Sequence, residues 1–167
     1  GLITTHIPLE KINKTITKKI VEEKILSFKN SLNKIWNVKK PKIAITSINP
    51  HSGEGGLIGD EEKKIVEPVI KKLVSKNLYI TGPLSGDSCF HKSSRKRFHG
   101  ILCFYHDQGL IPVKTLDFSH SINITGGLEF LRVSPDHGPA FDIAEKNIAS
   151  IHSLEASFNF MKGIIKK

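Results

Sequence analysis

The sequence predicts an α/β fold, with a largely parallel sheet flanked by helices. Three observations predict it. The runs "KIAITSI" (42–48), "LYITG" (78–82) and "GILCFY" (100–105) are short, apolar and rich in β-branched or aromatic residues, as buried strands are. Between them lie segments whose apolar residues recur at helical spacing. The polar stretches "NPHSGEGG", "GPLSGD" and "YHDQG" fall after strand ends, where open α/β sheets bind ligands.

Each element has its own signal. Ile12, Ile16, Ile20, Ile25, Phe28, Leu32 and Ile35 form an apolar stripe, which predicts one long amphipathic helix, or two in tandem, to about Trp36. "KKP" at 39–41 breaks it, and the first strand follows at 42–48. "PHSGEGGLIGD" reads as a glycine-rich loop. Ile65, Val66, Val69, Ile70, Leu73 and Val74 mark the next helix, with Asp60 as its N-cap and Glu61 and Glu62 in its first turn. After the strand at 78–82, a short polar helix is predicted over 88–97 and a third strand over 100–105. "INIT" (122–125) and "FLRVS" (130–134) read as further strands, and "DHGPAFDIA" opens a helical region. A terminal helix is predicted over 149–165, with Ile151, Leu154, Phe158 and Met161 on one face.

Length and composition bound the class. The 167 residues fit a single α/β unit over 1–167, long enough for a real core. A chain that is 38% hydrophobic and 25% charged is of the soluble globular type. Its longest apolar run falls well short of the roughly 18 residues a membrane helix needs. Cys89 and Cys103 give neither a disulfide framework nor a CxxC metal spacing, and residues 1–10 lack a signal-peptide pattern. A cytoplasmic protein with no membrane partner is expected. The chain begins at Gly1 and its only methionine is Met161, which predicts that a preceding segment was cut, processed or truncated. The net charge of +9 permits a nucleic-acid partner. Its lysines are scattered over helical surfaces, however, and the one dense cluster, "HKSSRKRFH" (91–99), has no interleaved aromatic platform. A basic nucleic-acid-binding module is therefore the least favoured reading.

His6, His51 and His106 each stand where apolar structure meets a loop. Three imidazoles and an open position are a pattern for a catalytic metal, although any of the eight histidines also reads as a surface or core residue. Asp107 and Asp87 read as metal-supporting carboxylates or as turn and cap residues. Lys114, in the apolar setting "LIPVKTLDF", suits an anionic substrate. Arg132 inside an apolar strand calls for an anionic partner, and Asn123 reads as a ligand-orienting or backbone-satisfying amide. "GEGG" has the glycines of an anion loop but matches neither dinucleotide nor P-loop spacing.

Taken in order, "TTHIPL", "NPHSGEGGLIGDEE", "GPLSGDSCF", "YHDQGLIPVKTLDF" and "INITGGLEFLRVSPDHGPAFDIA" resemble the 4-hydroxythreonine-4-phosphate dehydrogenase family of vitamin B6 biosynthesis. The resemblance runs along essentially the whole chain and corresponds to the C-terminal half of such an enzyme. It implies a two-lobed fold like isocitrate and isopropylmalate dehydrogenases, and a homodimer with active sites at the subunit interface. It implies oxidation of 4-phosphooxy-threonine by NAD or NADP and decarboxylation to 3-amino-2-oxopropyl phosphate. By motif, the divalent metal (zinc, magnesium or cobalt) falls to His6, His51 and His106 from both subunits. Within one chain His51 and His106 should lie close, with His6 pointing elsewhere. Substrate contacts fall to Lys114, Asn123 and Arg132, catalytic support to Lys114, Asp107 and Asp87, and dinucleotide contacts to Gly126, His137, Gly138 and Asp142.

The sequence departs from the family pattern at several points. Where the family has "DHGTAxDIAGxGxA", this chain has Pro139, Glu145 and Asn147 in place of threonine and two glycines. Ser85 and Glu129 stand where proline is usual. A lost glycine can block backbone approach to an anion. The metal set is thus intact while the cofactor loop has drifted, so an inactive remnant is the second reading.

Overall fold

The computed structural model describes residues 1–165. Where the sequence suggests one continuous unit, the chain separates into two compact ones, Gly1–Leu110 and a second from Ile111 onward.

The first unit is α/β. Its helices α1 (Ile12–Thr15) and α2 (Lys18–Trp36) are the tandem pair that the apolar stripe allows. They part at Ile16, which is extended, and Thr17 caps α2 by accepting from Ile20 N at 3.3 Å. Asn37, left-handed at φ 57°, ends α2 before the predicted break at "KKP". Strands β1 (Lys42–Thr46), β2 (Tyr79–Leu84) and β3 (Gly100–Leu102) form a parallel sheet in the order β2–β1–β3. Central β1 is buried on both faces from Ile43 to Thr46, which is why it reads as an unbroken apolar run. Residues 1–4 continue the pairing beside β3, with Ile3 N donating to Cys103 O at 2.8 Å and Cys103 N to Gly1 O at 2.9 Å. No alternating pattern announced that segment.

After a π-type turn, Glu62–Val66, helix α3 (Glu67–Val74) turns Val69, Ile70 and Leu73 into the core. Asp60 does not cap it as expected. Its carboxylate pairs with Lys64, and only its backbone carbonyl accepts the first helical bond, from Lys64 N at 2.8 Å. The polar helix expected over 88–97 is two single turns, α4 (Gly86–Cys89) and α5 (Lys92–Arg95). "YHDQG", expected as a loop, instead opens helix α6 (His106–Leu116). Gly109 and Pro112 argue against a helix on propensity, but packing overrides it. A Cβ at Gly109 would come within 2.7 Å of Leu2, so the missing side chain lets α6 lie against the first segment.

The second unit carries β4 (Ile122–Thr125) and β5 (Arg132–Pro135), an antiparallel pair separate from the parallel sheet. The helical region expected from "DHGPAFDIA" is a single 3₁₀ turn, Phe141–Ile143, flanked by left-handed Ala140, Glu145 and Asn147. Helix α7 (His152–Ile165) packs on the hairpin through its serines. Ser153 Oγ donates to Ser121 O at 2.7 Å and accepts from Asp136 N at 3.0 Å, and Ser157 is buried. The predicted apolar face of α7 is the exposed one, with Leu154 and Phe158 each about half accessible. Among the described residues the large buried aliphatics and Phe104 lie in the first unit.

Candidate functional site

The carboxyl ends of the three parallel strands hold the chemistry of the first unit. Thr4 N donates to Phe104 O at 3.1 Å and Thr4 Oγ1 to the same oxygen at 2.6 Å. Two residues past that joint, on each segment, come His6 and His106. Their rings lie 5.4 Å apart between centroids and are tilted by 41°. An ion bound about 2.0–2.1 Å from one nitrogen of each ring, at tetrahedral angles, would separate the ring centres by about 5 Å, so the pair fits a shared cation. His106 Nδ1 donates to Asp107 Oδ1 at 2.7 Å. That bond fixes the tautomer and leaves Nε2 with its lone pair outward, as a metal ligand requires.

The expectation that His6 points away from His106 is therefore corrected, since the two rings lie against each other. His51 follows β1 in a turn of its own. The adjacent Ser52 donates to Pro83 O on β2 at 3.3 Å. Asp87, beyond β2, is held below the usual carboxylate range, first by a hydrogen bond from Ser85 and further by the charge of His51. Ser85 thus makes the largest contribution to lowering the pKa of Asp87. Among the described residues no three His, Cys, Asp or Glu side chains converge closely enough to hold an ion within one chain.

Gln108, which was not singled out from the sequence, ties the strand ends together. Its Oε1 accepts from Phe104 N at 2.8 Å and Thr46 Oγ1 at 2.7 Å, while Nε2 donates to Ser47 O at 2.6 Å. One amide thus fixes the start of α6 to the ends of β1 and β3. The available clue was an amide, with both a donor and an acceptor, two residues after His106. Glu62 and Asn49, on the approach to His51, were likewise unforeseen as site residues.

The second unit carries the remaining predicted residues. Lys114 Nζ reaches both the backbone carbonyl and the carboxylate of Asp136, the latter at 3.1 Å, and lies 5.1 Å from the Phe118 ring centre. Asp136 is a partner the sequence reading missed. Asn123 is exposed on β4, opposite Ser134. Arg132 Nη1 donates to Thr125 Oγ1 at 3.0 Å, and among the described residues no carboxylate pairs with it. Gly126, His137, Gly138 and Asp142 are all exposed. A Cβ at Gly138 would meet nothing within 4 Å, so its backbone is open to a ligand, and His137 Nδ1 donates to Gly138 O at 3.0 Å.

Comparison with known proteins adds the family. Residues 1–161 match the family model for pyridoxal phosphate biosynthetic protein PdxA. The chain is 43% identical over 155 residues to a 4-hydroxythreonine-4-phosphate dehydrogenase of Paracoccus denitrificans, covering 93% of this chain and 48% of that one. A protein of the same name from Bacteroides thetaiotaomicron is 44% identical over 150 residues, covering 90% and 41%. The crystal structure of 4-hydroxythreonine-4-phosphate dehydrogenase from Klebsiella pneumoniae superposes with a TM-score of 0.83 at 37% identity, over 98% of this chain and 48% of that one. A terephthalate 1,2-cis-dihydrodiol dehydrogenase from Burkholderia xenovorans gives 0.76 at 29% identity, over 97% and 52%. The chain spans about half the length of the curated relatives it matches.

Proposed function

Because the chain belongs to the family of pyridoxal phosphate biosynthetic protein PdxA, we propose that it serves the metal- and NAD(P)-dependent oxidation of 4-phosphooxy-threonine, with decarboxylation to 3-amino-2-oxopropyl phosphate. It acts as one chain of a homodimer whose active site both subunits share. The observation that carries this reading is the His6–His106 pair at the strand ends, its rings 5.4 Å apart and one of them oriented by Asp107.

His6 and His106 would hold the divalent ion, with His51 as a further ligand. The ion, when bound, supplies Lewis acidity toward a substrate hydroxyl. Asp107 keeps the proton of His106 on Nδ1, so that Nε2 stays available. Asp87, hydrogen-bonded by Ser85, supports a cation or the substrate's ammonium group. Lys114 and Arg132 offset carboxylate and phosphate charge, and Asn123 orients a polar group. Gly126, His137, Gly138 and Asp142 would hold the dinucleotide, which would supply a hydride acceptor.

The test follows NADH absorbance with 4-phosphooxy-threonine, NAD and a divalent metal. It uses the 167-residue chain alone, then the chain with a polypeptide supplying the rest of a relative's length. The expected result is turnover only in the second mixture, lost at least a hundredfold in His106→Ala. Turnover in neither mixture, with metal demonstrably bound, rejects the reaction. One observation favours the second reading, of a catalytically inactive remnant. Glu145 and Asn147, at the family's glycine positions, keep left-handed backbone at φ 66° and 53° but add side chains there.

A further inference from the structure

The turn that carries His51 runs against the handedness of the chain. His51, Ser52, Gly53, Glu54, Gly55 and Gly56 have φ values of 49°, 55°, 75°, 43°, 68° and 108°. Three of these six carry a Cβ, which in this region crowds the following carbonyl. Such a run persists only where its surroundings impose it.

The imposing group is Glu62. It is 1% exposed, the most deeply buried carboxylate among the described residues. Its Oε1 accepts from Ile48 N and Asn49 N, both at 2.7 Å, and its Oε2 from Asn49 Nδ2 at 2.9 Å. Asn49 Nδ2 also donates to Glu61 Oε2 at 2.7 Å, and Glu61 accepts from Asn13 on α1 at 2.8 Å. The far side of the turn is closed as tightly. A Cβ on Gly53 would lie 2.7 Å from Gly59 O and 3.0 Å from Glu62 Oε2. The carboxylate therefore grips the two residues that enter the turn and abuts the one at its centre. Three N–H donors replace the water that a buried carboxylate gives up.

We infer that Glu62 is the positioning residue of the site: by fixing residues 48 and 49 it imposes the left-handed turn and so aims His51. This rests on the reading of His51 as a metal ligand. The carboxylate is required, rather than any polar group of that size. A glutamine keeps one acceptor oxygen for the two backbone donors, but turns an N–H₂ toward the N–H₂ of Asn49.

The experiment uses the ¹⁵N-labelled 167-residue chain and Co(II) as the probe. In Glu62→Gln, the strong intraresidue HN–Hα cross-peaks that mark positive φ should weaken at Ser52 and Glu54. Co(II) affinity should fall at least tenfold. Ile70→Ala, which destabilises the following helix without touching the clamp, should keep both. Glu62→Gln that retains the cross-peaks overturns the inference. Lost cross-peaks with unchanged Co(II) affinity overturn the aiming of His51, provided that His51→Ala does weaken binding. If His51→Ala binds Co(II) as the parent does, or the parent binds none, the ligand reading fails and the cross-peaks alone decide the role of Glu62. Should Glu62→Gln not fold, Asn49→Ala removes the side-chain half of the clamp. Weakened cross-peaks at Ser52 and Glu54 would then support the inference, and unchanged ones would overturn it.

Discussion

Single residues at this site work mainly through what they hold. Asp107 orients His106, Ser85 hydrogen-bonds Asp87 and lowers its pKa, and Gln108 joins three segments with one amide. The histidines were legible because imidazoles at strand ends are a chemical signal. Their supports were not, because a lone Gln or Glu looks the same whether it is solvated or buried. Cys103 is a buried residue with a titration consequence. Burial pushes its thiol up to about 11 from an ordinary 9.0. A raised value means that the folded state favours the neutral thiol. Its contribution is therefore complete below pH 9.0 and is lost as the pH rises through about 11. A difference of that size corresponds to roughly 2–3 kcal/mol. Urea unfolding of the parent and of Cys103→Ala, at neutral pH and above the folded value, should show the parent losing more stability on the alkaline side by about that amount. Equal losses would contradict it.

At the level of elements, α2, β1 and α3 were legible because their apolar positions answer to one period and one buried face. Helix α6 was not, since Gly109 and Pro112 are unfavourable for a helix in isolation, and the close approach of Leu2 to Gly109 is invisible in the sequence. The apolar stripe of α7 was legible but its exposure was not, because periodicity reports a face and not what covers it. The drifted loop after the 3₁₀ turn is a different case. Glu145 and Asn147 keep the backbone conformation of glycine without being glycine. A left-handed L-residue costs roughly 1–2 kcal/mol, and a glycine gives back about 0.5–1 kcal/mol in chain entropy. Glu145→Gly should therefore raise stability by up to about 1 kcal/mol, and Asn147→Gly by less, because asparagine tolerates that region. Chemical denaturation of the two variants decides it, and a loss of stability in Glu145→Gly would mean that its side chain makes a contact worth more than the strain.

On the scale of the whole molecule, the core and the exposed apolar surface are unequally shared. The first unit has a packed interior, whereas the second leaves Phe118, Phe130, Phe141, Ile148, Ile151 and Phe158 more than half exposed. Exposed apolar surface on that scale marks an interaction face or an association liability. The isolated chain should bind a hydrophobic dye and sediment with a concentration-dependent mass. Ile151→Ser with Phe158→Ser should reduce both, and a parent that stays monomeric and dye-free at high concentration would refute the expectation. The turn at 51–56 also changes how the sequence itself is read. Its "GEGG" invites comparison with an anion cradle, yet Gly55 and Gly56 have no neighbour within 4 Å of where a Cβ would stand. Among the described residues nothing crowds them, and their positive φ favours a residue without a Cβ. D-amino acids placed at these six positions alone, in the otherwise L-chain, would take up this left-handed turn without the crowding that L-residues meet there. The glycines here record the local inversion of chirality that brings His51 to its place.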